Sequence, residues 1–382
     1  MMTPSIEAAF VKTQRHVSSI GWSDGMFAPR MPVGAEFDDL AKLPPRDRWS
    51  DAHRQLLLTL RQIRPQRKFA IVTMMCNDAP YICEWIAHHL AIGADQIFVY
   101  TNNNNDSTER ALRWFQSHAP VTLLPMETAG YVDVQRKNYH HALFLLPELR
   151  LYEWTAFIDS DEFLLPDARF DHYMPNMLAA APDDTDVILF PWHWRLWPVA
   201  FSPSPGLLAE RFPHALHKEQ FKSVTRLDAV VSMEQIHLPL FDRDAVIRDT
   251  LFAPVTFGAN WLIPPKTGEG GWIEHFWTKS FAEFLVKKRR GEQINIADSN
   301  SSFRRAYETY FQWTQPLAPD NLSPWPAVML DRTRERLAGF SEKPGYAALC
   351  DAIAAEFRAY TASVENDPAM RELFSSFAGR AS

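Results

Sequence analysis

The chain contains the segment Trp154-Thr-Ala-Phe-Ile-Asp-Ser-Asp-Glu-Phe-Leu-Leu-Pro166, in which five strand-compatible residues run directly into three carboxylates. Such a run is typical of a buried strand that ends at one edge of a sheet, where open α/β sheets bind their ligands. Carboxylates at positions i and i+2 of an extended chain, here Asp159 and Asp161, point to the same side. The segment therefore predicts a seat for one hard cation, since Mg²⁺ takes one or two protein carboxylates and completes its coordination with water and phosphate.

A second interpretation of the same segment is that Asp159 or Ser160 caps a helix and that the acids are merely solvated. Pro166 leaves little room for such a helix, because proline is tolerated only in the first helical turn. An Asp-x-Asp pattern is a weak signal by itself. Its position directly after an apolar strand favours the metal site.

Composition restricts the classes of protein that the chain can represent. It has 382 residues, 46% hydrophobic and 22% charged, as expected for a globular protein with one large or two ordinary domains. The net charge of −7 argues against a nucleic-acid partner. No apolar run reaches the ~18 residues that span a bilayer. Three cysteines give no disulfide framework and predict a reducing, cytoplasmic location. Contact of the basic run 287–290 or the C-terminal helices with the inner face of a membrane stays open.

Strands and helices alternate from residue 67 onward. Strands are predicted at 69–74, 96–100, 121–124, 154–158 and 187–195, with short ones at 223–225 and 229–231. The first four recur roughly every 25 residues with an amphipathic helix in each interval, which indicates βαβ units and a doubly wound, mostly parallel sheet. No G-x-G-x-x-G follows the first strand, so a dinucleotide cofactor is not expected. We predict an N-terminal extension over 1–66, the main domain over 67–295 and a helical C-terminal region over 296–382.

Six short segments, taken in order, resemble those of one enzyme family. They are Cys76-Asn-Asp-Ala-Pro-Tyr-Ile-Cys-Glu-Trp-Ile-Ala-His-His89, Val99-Tyr-Thr-Asn-Asn-Asn-Asn-Asp-Ser-Thr108, Gln135-Arg-Lys-Asn-Tyr139, Phe157-Ile-Asp-Ser-Asp-Glu-Phe163, Phe221-Lys-Ser-Val-Thr-Arg226 and His275-Phe-Trp-Thr-Lys-Ser280. Together the segments resemble the GT-A-fold glycosyltransferases of the family-2-like type, the bacterial relatives of family 92. The chain departs from the pattern at Cys76 and Asp78, where the family usually has lysine and glutamate, and at Asn103, where it usually has an acid.

The resemblance implies a GT-A fold, a Rossmann-like and doubly wound sheet, here with helical N- and C-terminal extensions. It implies transfer of a sugar from a nucleotide-sugar donor to a hydroxyl of a glycan or related acceptor. It also implies Mn²⁺ or Mg²⁺ as cofactor, with Asp159, Asp161 and His275 as metal ligands.

The donor site implied by the resemblance draws on the carboxyl ends of several strands. Its expected residues are Asn77, Asp78, Asp106, Gln135, Arg136, Asp159, Lys222 and Lys279. Several have a second interpretation: Asn77, Asp78 and Asp106 as helix caps, and Gln135 and Arg136 as solvated surface. Lys222 is alternatively a contact for an anionic acceptor.

The catalytic residues implied for such a transferase are Asp161 together with Glu234 and His237. An inverting enzyme needs a carboxylate or histidine beside the acceptor hydroxyl, and Glu234, His237 or Glu162 could serve. A retaining enzyme needs none of them in that role, and the sequence does not choose. Aromatic faces bind sugar rings, so Trp192, Trp194 and Trp197 form either an acceptor platform or part of the core. For the base and for the tryptophans, the sequence leaves both alternatives open.

Two other functions remain open from the sequence. A sugar-phosphate nucleotidyltransferase would also use Asp-x-Asp, but it would carry a glycine- and arginine-rich loop after the first strand, and residues 77–81 contain none. A nucleotide-sugar-binding protein without turnover would fit the departures at Cys76 and Asn103. Retention of Asp159, Asp161, His275 and Lys279 argues against it.

Overall fold

The computed structural model describes residues 57–126, 134–197, 199–255, 270–289, 310 and 322–381. The strands are β1 Arg67–Met75, β2 Gln96–Thr101, β3 Val121–Pro125, β4 Tyr152–Phe157, β5 Glu162–Pro166, β6 Val187–Trp197, β7 His214–Thr225, β8 Val230–Gln235, β9 Leu238–Phe241, β10 Ile247–Asp249 and β11 Gly271–His275. The helices are α1 Ala79–Ala91, α2 Thr108–His118, α3 Val134–Leu145, α4 Met174–Ala180, α5 Leu208–Arg211, α6 Phe281–Arg289, α7 Ala327–Ser341, α8 Tyr346–Glu365 and α9 Pro368–Ala381.

One sheet organises the chain, with the strand order β3-β2-β1-β4-β7-β6-β11-β5 and with β10 paired to β6. The pairs β1–β2, β2–β3, β1–β4, β6–β11 and β6–β10 are parallel, whereas β7 runs antiparallel to β4 and β6, and β5 antiparallel to β11. The predicted GT-A class, a doubly wound and mostly parallel sheet, is thus confirmed. The chain winds outward from β1 in both directions, so β1 and β4 flank the topological switch point.

Strand β1 buries both of its faces, as expected for a central parallel strand. Phe69 and Ile71 pack into the apolar cluster that includes α1 and α2, and Ala70 and Val72 pack into a second cluster that includes α3. The C-terminal helices contribute to the first cluster through residues such as Phe340. The N-terminal extension up to residue 56 lies outside the described residues, and the three predicted sequence divisions stay predictions.

Helix α1 ends as its sequence predicts. Gly93 follows it with φ of +95°, a backbone conformation that favours glycine. A Cβ atom at this position would lie 2.4 Å from a ring carbon of Tyr173, so the close approach also requires glycine. A capping box opens α6: the Ser280 amide donates to the Glu283 carboxylate at 3.0 Å, and the Glu283 amide donates to the Ser280 hydroxyl at 3.3 Å.

The second half of the sheet differs from the prediction in the length of one strand and in two further strands. Strand β7 covers 214–225, whereas the sequence predicted only 223–225, because β7 pairs along most of its length with β6. Strands β5 and β11 were not predicted, and each is the other's antiparallel partner. Among the described helices, none has the length and apolarity to cross a bilayer.

Candidate active site

The acidic segment forms a turn between β4 and β5 at the switch point of the sheet. The Ile158 amide donates to the Val72 carbonyl at 3.2 Å, which fixes the end of β4 against β1. The chain turns at Ser160 and Asp161 instead of remaining extended. The prediction that Asp159 and Asp161 share one side of an extended strand is therefore wrong, and the two carboxylates have different partners.

Asp161 lies against His275, the last residue of β11. The Nε2 atom of His275 is 3.4 Å from Oδ1 of Asp161, and both side chains are 7% exposed. The Phe276 amide donates to the Asp161 carbonyl at 2.8 Å, so the backbone holds the two segments together. The Trp192 ring packs edge-on against the imidazole with ring centres 4.5 Å apart. Two predicted metal ligands thus meet although a large part of the chain separates them.

The pair Asp161 and His275 has the donor chemistry of a divalent-cation site whose remaining positions belong to water and phosphate. The Nδ1 atom of His275 is buried and has no hydrogen-bond partner within the described structure. Within the same residues, no group of three or more His, Cys, Asp or Glu side chains could hold a metal ion by itself. A cation at this pair would therefore depend on ligands from a bound substrate.

Asp159 belongs to a second polar cluster, which is centred on Lys222 of β7. The Lys222 ammonium donates to Oδ2 of Asp159 at 3.1 Å and lies 3.6 Å from Oε2 of Glu162. Gln135, on the first turn of α3, donates its side-chain amide to the same Asp159 carboxylate. The Asp159 backbone amide donates to Glu162 at 2.8 Å, which closes the cluster.

Burial governs the charges of this cluster. The Lys222 side chain is 1% exposed and that of Glu162 is 0% exposed. Burial opposes a charge on Lys222, but Asp159 and Glu162 together raise its pKa above the usual value, so the ammonium stays protonated. Burial raises the pKa of Glu162 well above its usual value, although Lys222 acts in the opposite direction. Lys222 is thus an internal counterion that fixes the position of Asp159.

Three other predicted donor-binding residues, Asn77, Asp78 and Lys279, line one narrow crevice. Its lining is completed by Pro80, Tyr81, Trp277, Thr278, Glu283, Phe284 and Phe357. The Lys279 ammonium lies 4.5 Å from the centre of the Tyr81 ring and donates to the Phe276 carbonyl at 2.8 Å. Because Phe276 also bonds Asp161, the crevice and the Asp161–His275 pair share one stretch of backbone.

Hydrogen bonds join the crevice to the acidic turn. The Ser160 hydroxyl donates to Oδ2 of Asp78 at 2.7 Å. Asn77, with φ of +57°, accepts from the Asn105 amide at 2.8 Å and so ties the ends of β1 and β2 together. Ala79 and Thr108 are the first residues of α1 and α2. Their backbone amides donate to the Asp106 carboxylate at 3.3 and 2.9 Å. The Asp106 carboxylate thus makes the capping contacts that were its alternative interpretation.

His237 packs beside the same cluster. Its Nδ1 atom lies 2.8 Å from the Phe221 carbonyl, and because a carbonyl only accepts, Nδ1 carries the proton and Nε2 a lone pair. Burial and the nearby Lys222 charge lower the pKa of His237 to about 4, so the ring is neutral at pH 7. Its centre lies 5.4 Å from that of Trp192. The side chains of Glu234 in β8 and Arg136 in α3 lie outside the described residues.

The two faces of β6 carry different kinds of side chain. Trp192 and Trp194 lie on one face with ring centres 6.5 Å apart, and the Arg195 guanidinium on the other face bonds Glu274. Both tryptophans are buried, at 9% and 5% exposure, and both border His275. The side chain of Trp197 lies outside the described residues. These rings belong mainly to the core, with an edge toward the candidate site.

Several contributors to the site were missed in the sequence. Ser160 lies inside the Asp-x-Asp segment, and its hydroxyl could have been considered there. Tyr81 carries no local signal for its contact with Lys279. Phe357 comes from α8, and helical periodicity alone does not say where a helix docks. Glu84 of α1 accepts from the Leu208 amide at 2.9 Å.

Comparison with known proteins finds a family similarity for the part of the chain that carries Asn77, Asp161 and Lys222. Residues 71–252 match the sequence profile described as Glycosyltransferase family 92. A glycosyltransferase family 92 protein of Oryza sativa subsp. japonica is 32% identical over 104 residues, which are 26% of this chain and 17% of that protein. One of Arabidopsis thaliana is 26% identical over 98 residues, which are 26% of this chain and 16% of that protein. The chain thus matches only a small share of the length of these curated relatives.

Solved structures align more weakly. The structure of S. aureus TarS 1–349 in complex with UDP aligns with a TM-score of 0.29 and 16% identity, over 42% of this chain and 47% of that chain. A glucosyl-3-phosphoglycerate synthase from Mycobacterium tuberculosis, in complex with Mn²⁺, UDP and phosphoglyceric acid, aligns with a TM-score of 0.23 and 20% identity, over 36% of this chain and 47% of that chain. The candidate site rests on the strand order and the side-chain contacts of this chain, not on these alignments.

The family profile begins in β1 and ends just after β10, so it includes the acidic turn, Lys222 and His237. The resemblance inferred from the six segments is confirmed, since residues 71–252 match the profile of glycosyltransferase family 92.

Proposed function

We propose that the chain is a metal-dependent glycosyltransferase that moves a sugar from a nucleotide-sugar donor to a hydroxyl of a glycan or related acceptor. The observation that carries the proposal is the pairing of Asp161 with His275 at the switch point of the sheet. This pair adjoins the crevice lined by Asn77, Asp78 and Lys279. Residues 71–252, which include Asp161, match a glycosyltransferase family profile. Free thiols are typical of a reducing compartment, so the three free cysteines support a cytoplasmic location as part of the proposal.

Asp161 and His275 would hold the divalent cation, Mn²⁺ or Mg²⁺. When bound, such a cation neutralises charge on the leaving diphosphate without a proton transfer. Lys222 and Gln135 hold the Asp159 carboxylate, which therefore shapes the acidic turn. The exposed part of the same carboxylate would contact the donor. The Asp159 side chain is 30% exposed, whereas that of Lys222 is 1% exposed.

Asn77, Asp78 and Lys279 form the side of the site that would receive the nucleotide. Asn77 and Asp78 follow β1 directly, and the loop from β2 that Asn77 fastens contributes further amides. Lys279 is 4% exposed and supplies the positive charge beside the crevice. A cation fixed at this position favours the phosphate groups of a donor.

His237 is the base that the described residues favour for an inverting transfer. Its neutral ring has the proton on Nδ1, and the Nε2 lone pair can accept the proton of the acceptor hydroxyl. A bound diphosphate would raise the proton affinity of this imidazole, since negative charge favours the protonated form. Glu234 stays a second candidate from the sequence.

The test of the proposed function is a thermal-shift panel of UDP, GDP, CDP, ADP and TDP, each with and without Mn²⁺. At ~100 times Kd, a bound nucleotide adds about 2.7 kcal/mol to the free energy of unfolding. We expect one nucleotide to stabilise the wild type only with Mn²⁺ and not to stabilise Asp161→Asn. The control is Asp331→Asn, which removes a 69% exposed carboxylate of α7 and should respond like the wild type.

The same panel separates the alternatives. If no nucleotide stabilises the wild type, or if Asp161→Asn responds fully, the proposed donor site is wrong. If a nucleotide binds with Mn²⁺ but none of its sugar conjugates is consumed, the chain is a nucleotide-sugar-binding protein without turnover. Consumption of a nucleoside triphosphate together with a sugar phosphate would instead identify a nucleotidyltransferase.

A further inference from the structure

Strand β5, which follows the acidic turn, lies at one end of the described part of the sheet, where β11 is its strand partner. In an antiparallel pair, alternate residues of such an edge strand direct their backbone N–H and C=O groups away from the partner strand. In β5 these residues are Glu162, Leu164 and Pro166. Buried backbone groups need hydrogen-bond partners, so the partners of these three residues decide how firmly the edge is fixed.

Two adjacent histidines of α1 take the place of a neighbouring strand at Leu164. Nε2 of His88 lies 2.8 Å from the Leu164 carbonyl and, because a carbonyl only accepts, this nitrogen carries the proton. The Leu164 amide donates to Nε2 of His89 at 3.3 Å. Nδ1 of His89 donates to the Trp85 carbonyl at 2.8 Å. Burial lowers the pKa of both imidazoles, that of His88 to about 4, so both rings are neutral at pH 7.

The other outward backbone groups of β5 are satisfied as well. The Trp85 indole donates to the Glu162 carbonyl at 2.8 Å, and the Glu162 amide donates to the Asp159 carbonyl at 3.1 Å. Nδ1 of His172 donates to the Pro166 carbonyl at 2.8 Å, and proline has no amide hydrogen to satisfy. The edge of the sheet beside the acidic turn is therefore fully hydrogen-bonded to side chains and to the turn itself.

Three of these side chains, Trp85, His88 and His89, form what we call the α1 clamp. Their i, i+3 and i+4 spacing places them on one face of the helix. Their exposed fractions are 0%, 1% and 0%, so water does not replace these contacts. The strand that they hold begins directly after Asp161, and its first residue lies opposite His275 in the register of β5 with β11.

We propose that the α1 clamp positions the cation site: by fixing the backbone of β5, it sets the distance between Asp161 and His275. This inference rests on the proposed function, in which these two residues hold the cation. A displacement of β5 along β11 would carry Asp161 with it and leave His275 behind. The clamp residues are positioning residues, since their hydrogen bonds to β5 end on its backbone.

The experiment removes one clamp contact and then restores it. His88→Leu removes the donor to the Leu164 carbonyl, and His88→Gln keeps an N–H donor on a side chain of similar reach. Binding of Mn²⁺, with the nucleotide selected by the thermal-shift panel present, is measured from free Mn²⁺ by electron paramagnetic resonance. We expect the Kd for Mn²⁺ to rise about tenfold or more in His88→Leu, as it does when residues that orient metal ligands are lost. His88→Gln should regain most of this affinity.

The matched control is His140→Leu. His140 is a buried histidine of α3 that accepts the Met233 amide of β8 at 3.3 Å, the same distance as between the Leu164 amide and His89. Its loss should destabilise the chain and leave the Kd for Mn²⁺ unchanged. If His140→Leu weakens Mn²⁺ binding as much as His88→Leu does, reduced stability explains the effect and the clamp has no special role.

A second readout needs no metal and uses the imidazole nitrogen resonances of His275, assigned by their loss in His275→Gln. In the metal-free protein we expect them to shift in His88→Leu and in Trp85→Phe, which removes only the indole donor and keeps an aromatic ring in the core. They should stay in place in His140→Leu. Trp85→Phe decides the question if His88→Leu does not fold.

The two readouts separate this inference from the function on which it rests. Unchanged Mn²⁺ affinity, or unchanged His275 resonances, in a folded His88→Leu or Trp85→Phe would overturn the positioning role. If the wild type binds no Mn²⁺ with any nucleotide, the proposed function fails. The His275 resonances of the metal-free variants then still show whether the clamp sets the position of this ring.

Discussion

The Asp161→Asn variant is expected to lower kcat/KM for consumption of the donor by about 10³-fold, because the lost metal ligand removes several kcal/mol of charge stabilisation and each 1.36 kcal/mol is tenfold in rate. Asparagine keeps the shape of the side chain but not its charge. The measurement is release of the nucleoside diphosphate at saturating Mn²⁺. The melting temperature without ligand should stay close to that of the wild type, which separates lost chemistry from lost folding.

Asp331→Asn is the matched control for this loss. It makes the same chemical change on an exposed turn of α7, where the carboxylate pairs with Arg334 in the same helix. Its kcat/KM should equal that of the wild type. If Asp161→Asn loses less than tenfold in kcat/KM and still responds to Mn²⁺, Asp161 is not a ligand of the cation.

The Lys222→Met variant is expected to lose about 3–5 kcal/mol in free energy of unfolding, since it leaves the carboxylates of Asp159 and Glu162 without their buried counterion. The side chains of Lys222 and Glu162 are 1% and 0% exposed, so water cannot replace the lost contact. Urea unfolding at pH 7 measures the change. The matched control is Lys68→Met, because Lys68 pairs with Glu153 at 2.7 Å but is 32% exposed, and its loss should cost under ~1 kcal/mol.

A second substitution distinguishes charge from packing at Lys222. In the background of Lys222→Met, Asp159→Asn removes the carboxylate to which the ammonium donates and should restore about 2 kcal/mol or more. If packing around the lysine stem caused the loss, the added substitution would destabilise the protein further. A Lys222→Met variant within ~1 kcal/mol of the wild type would contradict the role of Lys222 as counterion.

The first half of the sheet could be predicted because its signals are local. The strands from β1 to β4 are short apolar runs, and each is followed by turn residues and an amphipathic helix. The edge at which Asn77, Asp78 and Asp159 converge follows from parallel pairing alone. The sequence could therefore place the acidic segment at the switch point.

The contacts of the site could be predicted only in part, because they depend on long-range pairing. Lys222 reaches Asp159 since β7 inserts antiparallel between β4 and β6. His275 meets Asp161 since β11 pairs with β5, and neither strand carries a strong local pattern. The turn at Ser160 separates the two aspartates, which an extended-strand argument cannot foresee. The docking of α8 beside the crevice also has no signal in its helical periodicity.

The central claim is that Asp161 and His275 together hold the divalent cation of a transferase. The most direct measurement is electron spin echo envelope modulation of Mn²⁺ bound to the protein, alone and with the nucleotide selected by the panel. We expect a nitrogen coupling from one histidine. The coupling should be lost in His275→Gln and retained in His237→Gln, although both rings pack on Trp192. A Mn²⁺ signal without nitrogen coupling, or a coupling that survives in His275→Gln, would contradict it.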